Sequence, residues 1–224
     1  MDKVTDIKEA ISVVKSGDVI LLGGFTFFGQ PMHLVYALAE RDDLHDLTLV
    51  TEDMGLGSLD FKQGIDNLYG NSVNKAICSF IGPNPLVIEL RAAGKLDVEL
   101  VPQGTLIERM RAAGAGIGGF YTPTGVGTVV EEGKEVREID GKKYVLEKPL
   151  PGDVALVKAW KADRYGNAVF KMTGSNYNTV MAMAGKIVVL EVEEVVEPGD
   201  IEPDEVQLPG LFVDYVVECK EAVF

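Results

Sequence analysis

Asp18-Val19-Ile20-Leu21-Leu22-Gly23-Gly24 is the stretch that decides the fold. Its apolar residues follow one another without polar alternation and stop at a glycine pair, the pattern of a short strand buried on both faces. Moving outward from this strand at 18–22, similar apolar runs recur at 47–51, 75–80, 97–101, 154–160, 186–192 and 214–218. Between them, helical spacing of apolar residues predicts helices at 6–15, 31–40, 85–93, 106–113 and 178–184. Pro31 and Pro85 suit a first helical turn, where a missing N–H costs nothing, and Gly94 suits a C-terminal cap. Unbroken apolar strands separated by helices imply an open α/β fold, with a mostly parallel sheet covered on both faces.

One segment breaks this rhythm. From 128 to 148 apolar and polar residues alternate around Glu132-Gly133 and Asp140-Gly141, which predicts a β-hairpin ribbon inserted into the α/β unit. The stretch 193–204, with Pro198-Gly199 and Pro203, reads as an acidic connection to a final strand. The whole of 1–224 is expected to form a single domain carrying that ribbon.

The chain has 224 residues, 46% hydrophobic and 25% charged, which is globular composition and too apolar for disorder. Its net charge is −14, and it has two histidines and no basic run. That charge argues against a nucleic acid or an anionic membrane as partner. The first residues lack the apolar core of a secretory leader, and no run approaches the ~20 apolar residues of a membrane span. Cys78 and Cys219 form neither a disulfide framework nor a C-x-x-C pair. The expectation is a cytoplasmic protein.

Several motifs invite chemistry. Gly114, Gly116 and Gly119 formally satisfy G-x-G-x-x-G, but the dinucleotide fingerprint needs a strand before it and a helix after it. Here a predicted helix precedes the loop and Phe120-Tyr121-Thr122-Pro123 follows, which speaks against a nicotinamide-dependent oxidoreductase. Gly23-Gly24-Phe25-Thr26-Phe27-Phe28-Gly29 does lie between a strand and a helix, at the strand end where open α/β sheets bind ligands. Close backbone approach to a ligand and a glycine-rich turn with packed phenylalanines both fit it. Glu52-Asp53 follows the second strand and can be either a crevice acid pair or a turn cap. Gln103, directly after the fourth strand, offers a neutral amide to the same crevice. His33 and His45 accompany no nucleophile motif and read as solvated or capping residues. No metal-ligand spacing is present.

Taken together, Gly17-Asp18-Val19-Ile20-Leu21-Leu22-Gly23-Gly24-Phe25 with Gly29 and Pro31, Val101-Pro102-Gln103-Gly104-Thr105-Leu106, Ala113-Gly114-Ala115-Gly116, Tyr121-Thr122-Pro123-Thr124-Gly125-Val126-Gly127-Thr128 and 155–163 resemble the A (alpha) subunit of family I coenzyme A transferases. These include bacterial 3-oxoacid and acetate/acetoacetate CoA-transferases, and the N-terminal half of the single-chain succinyl-CoA:3-oxoacid transferase. The resemblance runs from about residue 8 to 217. It implies ping-pong transfer of CoA from a short-chain acyl-CoA (3-oxoacyl, acetyl or butyryl) to a carboxylic acid through a glutamyl-CoA thioester. In the family the nucleophilic Glu lies in a Ser-Glu-Asn-Gly motif of the B subunit. That motif does not occur here, so no catalytic nucleophile is expected in this chain and a B (beta) partner is. The resemblance also implies a heterotetramer or larger, no metal, and no cofactor apart from coenzyme A as substrate, whose polyanionic part is expected to be gripped mostly by the B subunit.

By the same resemblance Gly23, Gly24 and Phe25 fall on a loop bordering the active site, Gln103 faces substrate, and Glu52 and Asp53 stand where Asn-Asn or Asn-Asp is common. Glu52 therefore replaces an amide by an acid. Gly174-Ser175-Asn176-Tyr177-Asn178 replaces a more usual Ala-Arg-Asn-Phe-Asn, and Ser16 stands where Asp or Asn is usual. A relative that has lost catalysis and kept only binding is the alternative.

Overall fold

The computed structural model describes residues 1–55, 64–82 and 84–220. The decisive run forms β1 (Val19–Leu22), whose side chains alternate between two apolar cores. Ile20 and Leu22 enter one, and Leu21 enters the other. Before it, α1 (Ile7–Ile11) is capped by the Asp6 carboxylate, which accepts from the amides of Lys8 and Glu9. It is shorter than expected. After it come α2 (Met32–Ala39), β2 (Leu47–Val50), β3 (Val73–Cys78), α3 (Pro85–Ala92), β4 (Asp97–Leu100) and α4 (Gln103–Gly114). Asn84 caps α3 through Leu86 and Val87, Pro85 takes its first position, and Gly94 follows its end at φ 67°.

The chain then leaves the main sheet. β5 (Phe120–Thr122), β6 (Val136–Ile139) and β7 (Lys142–Glu147) form a separate antiparallel sheet in the order β5-β7-β6. The hairpin falls at Asp140-Gly141, with φ 51° and 75°, as an Asp-Gly turn requires. Glu132-Gly133 is not a second hairpin. It follows a short 3-10 turn, so the ribbon starts at Val136, and its third strand comes from upstream of 128.

Return to the main sheet is by β8 (Gly152–Asp163), the short antiparallel β9 (Ala168–Val169), α5 (Asn178–Ala184), β10 (Gly185–Val196) and β11 (Tyr215–Glu218). β10 runs to Val196, so the expected connection at 193–204 begins as strand. Pairing with β8, which continues to Asp163, holds it there. The sheet order is β11-β10-β8-β1-β2-β3-β4, parallel throughout apart from β9. The chain thus starts in the middle, builds outward through β2, β3 and β4, and returns to the other side of β1 through β8. Such a switch point is where an open α/β sheet leaves a crevice at its strand ends. Residues of α1, α2 and α3 cover one face, and residues of α4 and α5 cover the other.

Candidate active site

At the carboxyl end of β1 the chain makes a tight turn. The amides of Phe25 and Phe28 donate to each other's carbonyls at 3.0 and 2.9 Å, and Thr26 adopts φ 51°. Phe27 and Phe28 are left 56% and 60% exposed, and Phe25 39%. The glycines before the turn have intramolecular reasons to be glycine. A Cβ on Gly23 would lie 1.9 Å from Asn178 Oδ1, and one on Gly24, at φ 110°, 2.4 Å from Gln30 Cγ. Asn178 is fully buried. Its Oδ1 accepts from Lys158 N at 3.0 Å, and its Nδ2 donates to the carbonyls of Gly29 and Gly174 at 2.9 and 2.8 Å. Asn176 Nδ2 donates to the Phe28 carbonyl at 2.9 Å. These amides stitch the β1 turn to β8 and to the segment before α5.

From this turn a line of hydrogen bonds runs along the sheet edge. The Thr26 amide donates to Asp53 Oδ2 at 2.8 Å, and the Gly55 amide donates to Asp53 Oδ1 at 2.8 Å. Next to Asp53, Glu52 Oε1 accepts from Ser79 Oγ at 2.7 Å and from Gln103 Nε2 at 2.9 Å. Glu52, Ser79 and Gln103 follow β2, β3 and β4, so neighbouring strands deliver them side by side. Gln103 opens α4 instead of lying in a loop before it, which fixes its backbone direction.

Glu52 and Asp53 are only 4% and 2% exposed. The Glu52 carboxyl is raised above the ordinary glutamate range, first by burial and then by the adjacent Asp53 carboxylate. The bonds from Ser79 and Gln103 oppose that shift. Beside Gln103 opens a cleft of about 290 Å³ lined by Gly104, Ile107, Asn176 and Tyr177. The Tyr177 hydroxyl is buried without a hydrogen-bond partner, and burial together with nearby Glu52 holds its pKa above the usual phenol value.

The structure therefore brings Gly23, Gly24, Phe25, Glu52, Asp53 and Gln103 onto one edge. Sequence reasoning missed Ser79 and Tyr177. Ser79 carried a usable signal, a hydroxyl just past an apolar strand. Tyr177 was legible only as a difference from a resembling motif.

Other candidates resolve differently. Gly114 ends α4 and the glycines at 116–119 lead from it into β5, so no helix N-terminus meets them. A Cβ on Gly114 would lie 2.9 Å from the Met183 carbonyl oxygen, which makes it the crossing point of α4 and α5. His33 is not a solvated residue: its Nδ1 lies 3.1 Å from Glu191, a carboxylate with no exposed surface in the middle of β10. Glu191 also accepts the His33 and Leu34 amides at 3.0 and 3.2 Å, capping α2, whose own sequence supplies no capping side chain. Lys158 Nζ lies 3.3 Å from it. Cys219 Sγ completes a group whose ligand atoms all lie within 4.8 Å of one another, the arrangement among the described residues most able to hold a metal ion. The carboxylate there is already engaged by donors and an ammonium. Burial and Glu191 push the Cys219 thiol up to about 12. Among the described residues no helix is long and apolar enough to cross a membrane.

Comparison with known proteins shows the family of the chain. The family model for coenzyme A transferase matches residues 4–219. The A chain of the succinyl-CoA:3-ketoacid coenzyme A transferase of Helicobacter pylori (strain J99) is 45% identical over 217 residues, covering 96% of this chain and 92% of that protein. The alpha chain of the acetate CoA-transferase of Escherichia coli (strain K12) is 42% identical over 221 residues, covering 98% of each. Among solved structures, an acyl-CoA transferase of Escherichia coli O157:H7, captured as a thioester complex with CoA, superimposes with a TM-score of 0.87 at 25% identity. That match covers 99% of this chain and 48% of the other, so the chain spans about half the length of that solved relative. Sequence and fold agree: the chain belongs to the coenzyme A transferase family.

Proposed function

We propose that this chain is the A (alpha) component of a heteromeric CoA-transferase and forms the substrate-positioning half of its active site. The reading rests above all on the polar line Asp53–Glu52–Gln103 at the sheet edge, beside an exposed turn, in a chain that lacks Ser-Glu-Asn-Gly. Its relatives from Helicobacter pylori and Escherichia coli are themselves named as one component of a multi-chain enzyme, which implies a second chain. Exposed Phe27, Phe28 and Phe80 support a partner covering this edge, because exposed aromatic surface of this extent marks interaction sites.

On this reading the partner's glutamate carboxylate attacks the acyl-CoA thioester carbonyl. The C–S bond breaks, leaving an acyl-glutamyl anhydride and CoA thiolate. The thiolate then attacks the glutamyl carbonyl, releasing the first carboxylate and forming glutamyl-CoA. An incoming carboxylate reverses both steps and leaves with CoA. Gln103 serves here by presenting an amide N–H to the oxygen that gains charge, without adding charge of its own. Burial of this exposed edge under the partner is what keeps out water, which would hydrolyse the anhydride. The substrates are short-chain acyl-CoA and free carboxylic acids, with no metal and no cofactor beyond CoA.

The test mixes this chain with the chain bearing Ser-Glu-Asn-Gly and supplies acetoacetyl-CoA and acetate. The expected result is transfer by the mixture and none by either chain alone. Transfer by this chain alone would overturn the reading.

A further inference from the structure

Gln103 lies on the surface of the free chain, yet both ends of its side chain are fixed. Its backbone opens α4, and its Nε2 donates to Glu52 Oε1 at 2.9 Å. Glu52 is in turn clamped by the residue after β3. The Ser79 hydroxyl lies 2.7 Å from Glu52 Oε1 and 2.9 Å from the Glu52 carbonyl oxygen, and the Ser79 amide donates to that carbonyl at 3.0 Å. No cation among the described residues pairs with the Glu52 carboxyl. Burying a carboxyl at 4% exposure beside Asp53 works against stability, and one bond to a surface glutamine offsets little of that. What the bond does achieve is order. Immobilising a free glutamine side chain costs up to ~2 kcal/mol, and here it is immobilised before any substrate arrives. A glutamine amide has two N–H donors and an acceptor oxygen. One N–H goes to Glu52, which leaves the other, and Oε1, for the cleft that Gln103 lines.

Resting on the CoA-transfer reading above, we propose that Glu52 is a positioning residue of the reaction. It touches no reacting atom and acts through Gln103, holding one Nε2 hydrogen so that the other N–H meets the oxygen that gains charge. Glu52 stands where the resembling motif has Asn, so the device belongs to this chain's own sequence. The titratable groups facing Glu52 are Asp53, Cys78 from β3 and Tyr177 from the segment before α5. Burial pushes the Cys78 thiol up to about 12 and holds the Tyr177 hydroxyl above the ordinary phenol value, so both keep their protons through the neutral range.

In the enzyme assembled with the Ser-Glu-Asn-Gly chain, Glu52→Leu is expected to lower kcat about tenfold or more and to move KM less than about threefold, because the Gln103 bond gains strength only as charge develops. Glu52→Gln keeps a carbonyl oxygen for Nε2 and is expected to recover most of that loss. On a Gln103→Ala background, Glu52→Leu is expected to lower kcat no more than about twofold further. Effects that multiply instead, or a Glu52→Gln enzyme as slow as Glu52→Leu, overturn the proposal. A second readout needs neither turnover nor a substitution at position 52. In NMR spectra of the free chain, the Gln103 side-chain amide is identified by its loss in Gln103→Ala. One of its Nε2 protons is expected to sit away from the free-glutamine position and to move as pH rises from the acid range to neutrality and Glu52 gives up its proton. Two protons at the free-glutamine positions, without pH dependence, overturn the proposal even if Glu52→Leu fails to fold. No transfer by the unsubstituted mixture would instead remove the functional reading itself, and this inference with it.

Discussion

At the residue scale, Gly23 shows how a sequence feature can be read correctly as special and still have its cause inside the protein. The glycine clears room for Asn178 Oδ1, which a Cβ would meet at 1.9 Å. Gly23→Ala must therefore displace a buried amide that bonds to three backbone groups, among them Lys158 N at 3.0 Å. The expected cost is about 2–4 kcal/mol, or a Tm lower by roughly 5–10 °C in a thermal melt. Gln103→Ala removes the amide facing the cleft and is expected to lower kcat/KM of the assembled enzyme about 10- to 100-fold, with assembly intact by size-exclusion chromatography. An unchanged rate would take Gln103 out of the site. Glu52 makes a pH prediction. Its carboxyl holds its proton to higher pH in the folded chain than in the unfolded one, so its stabilising contribution is full below the ordinary glutamate value and is lost as pH rises through the raised value. Glu52→Gln lacks this dependence. Its Tm relative to wild type is expected to become more favourable as pH rises from the acid range to neutrality, and a constant difference would contradict the assignment.

At the scale of elements, the stitching of the β1 turn depends on α5. Asn178 is the first residue of that helix, and its amide spans to Gly29 and Gly174. Asn178→Ala is expected to speed backbone amide exchange at the turn, Phe25 and Phe28 above all, while β3 and β4 keep their protection. Uniform loosening would mean that the turn is not held locally. The parallel sheet and its helices were legible in the sequence because apolar runs and amphipathic segments alternate with clear punctuation at Gly23-Gly24, Pro85 and Gly94. The end of β10 was not. Glu193 and Glu194 look like loop residues, yet pairing with the extended β8 keeps them in strand. The cap of α2 was illegible for a similar reason, since its carboxylate, Glu191, comes from β10 far along the chain. A charged residue inside the run Val188-Val189-Leu190-Glu191-Val192 was the available clue. The edge order of Gly23, Asp53, Glu52 and Gln103 followed from strand ends alone, whereas the contact of Glu52 with Ser79 required the register of β2 against β3.

At the scale of the whole molecule, starting the sheet in its middle strand places the glycine turn at the crevice, with the acid pair and Gln103 on one side and β8 and β10 on the other. This edge carries a neutral amide and an acid pair held by neutral donors. Under the proposed function, the covalent chemistry falls to a second chain. The most direct test incubates this chain and the Ser-Glu-Asn-Gly chain together with acetoacetyl-CoA and no acceptor acid, then weighs both proteins by intact-mass spectrometry. A CoA adduct is expected on the partner and none on this chain. An adduct on this chain, with Glu52 the first position to map, would contradict that division of labour.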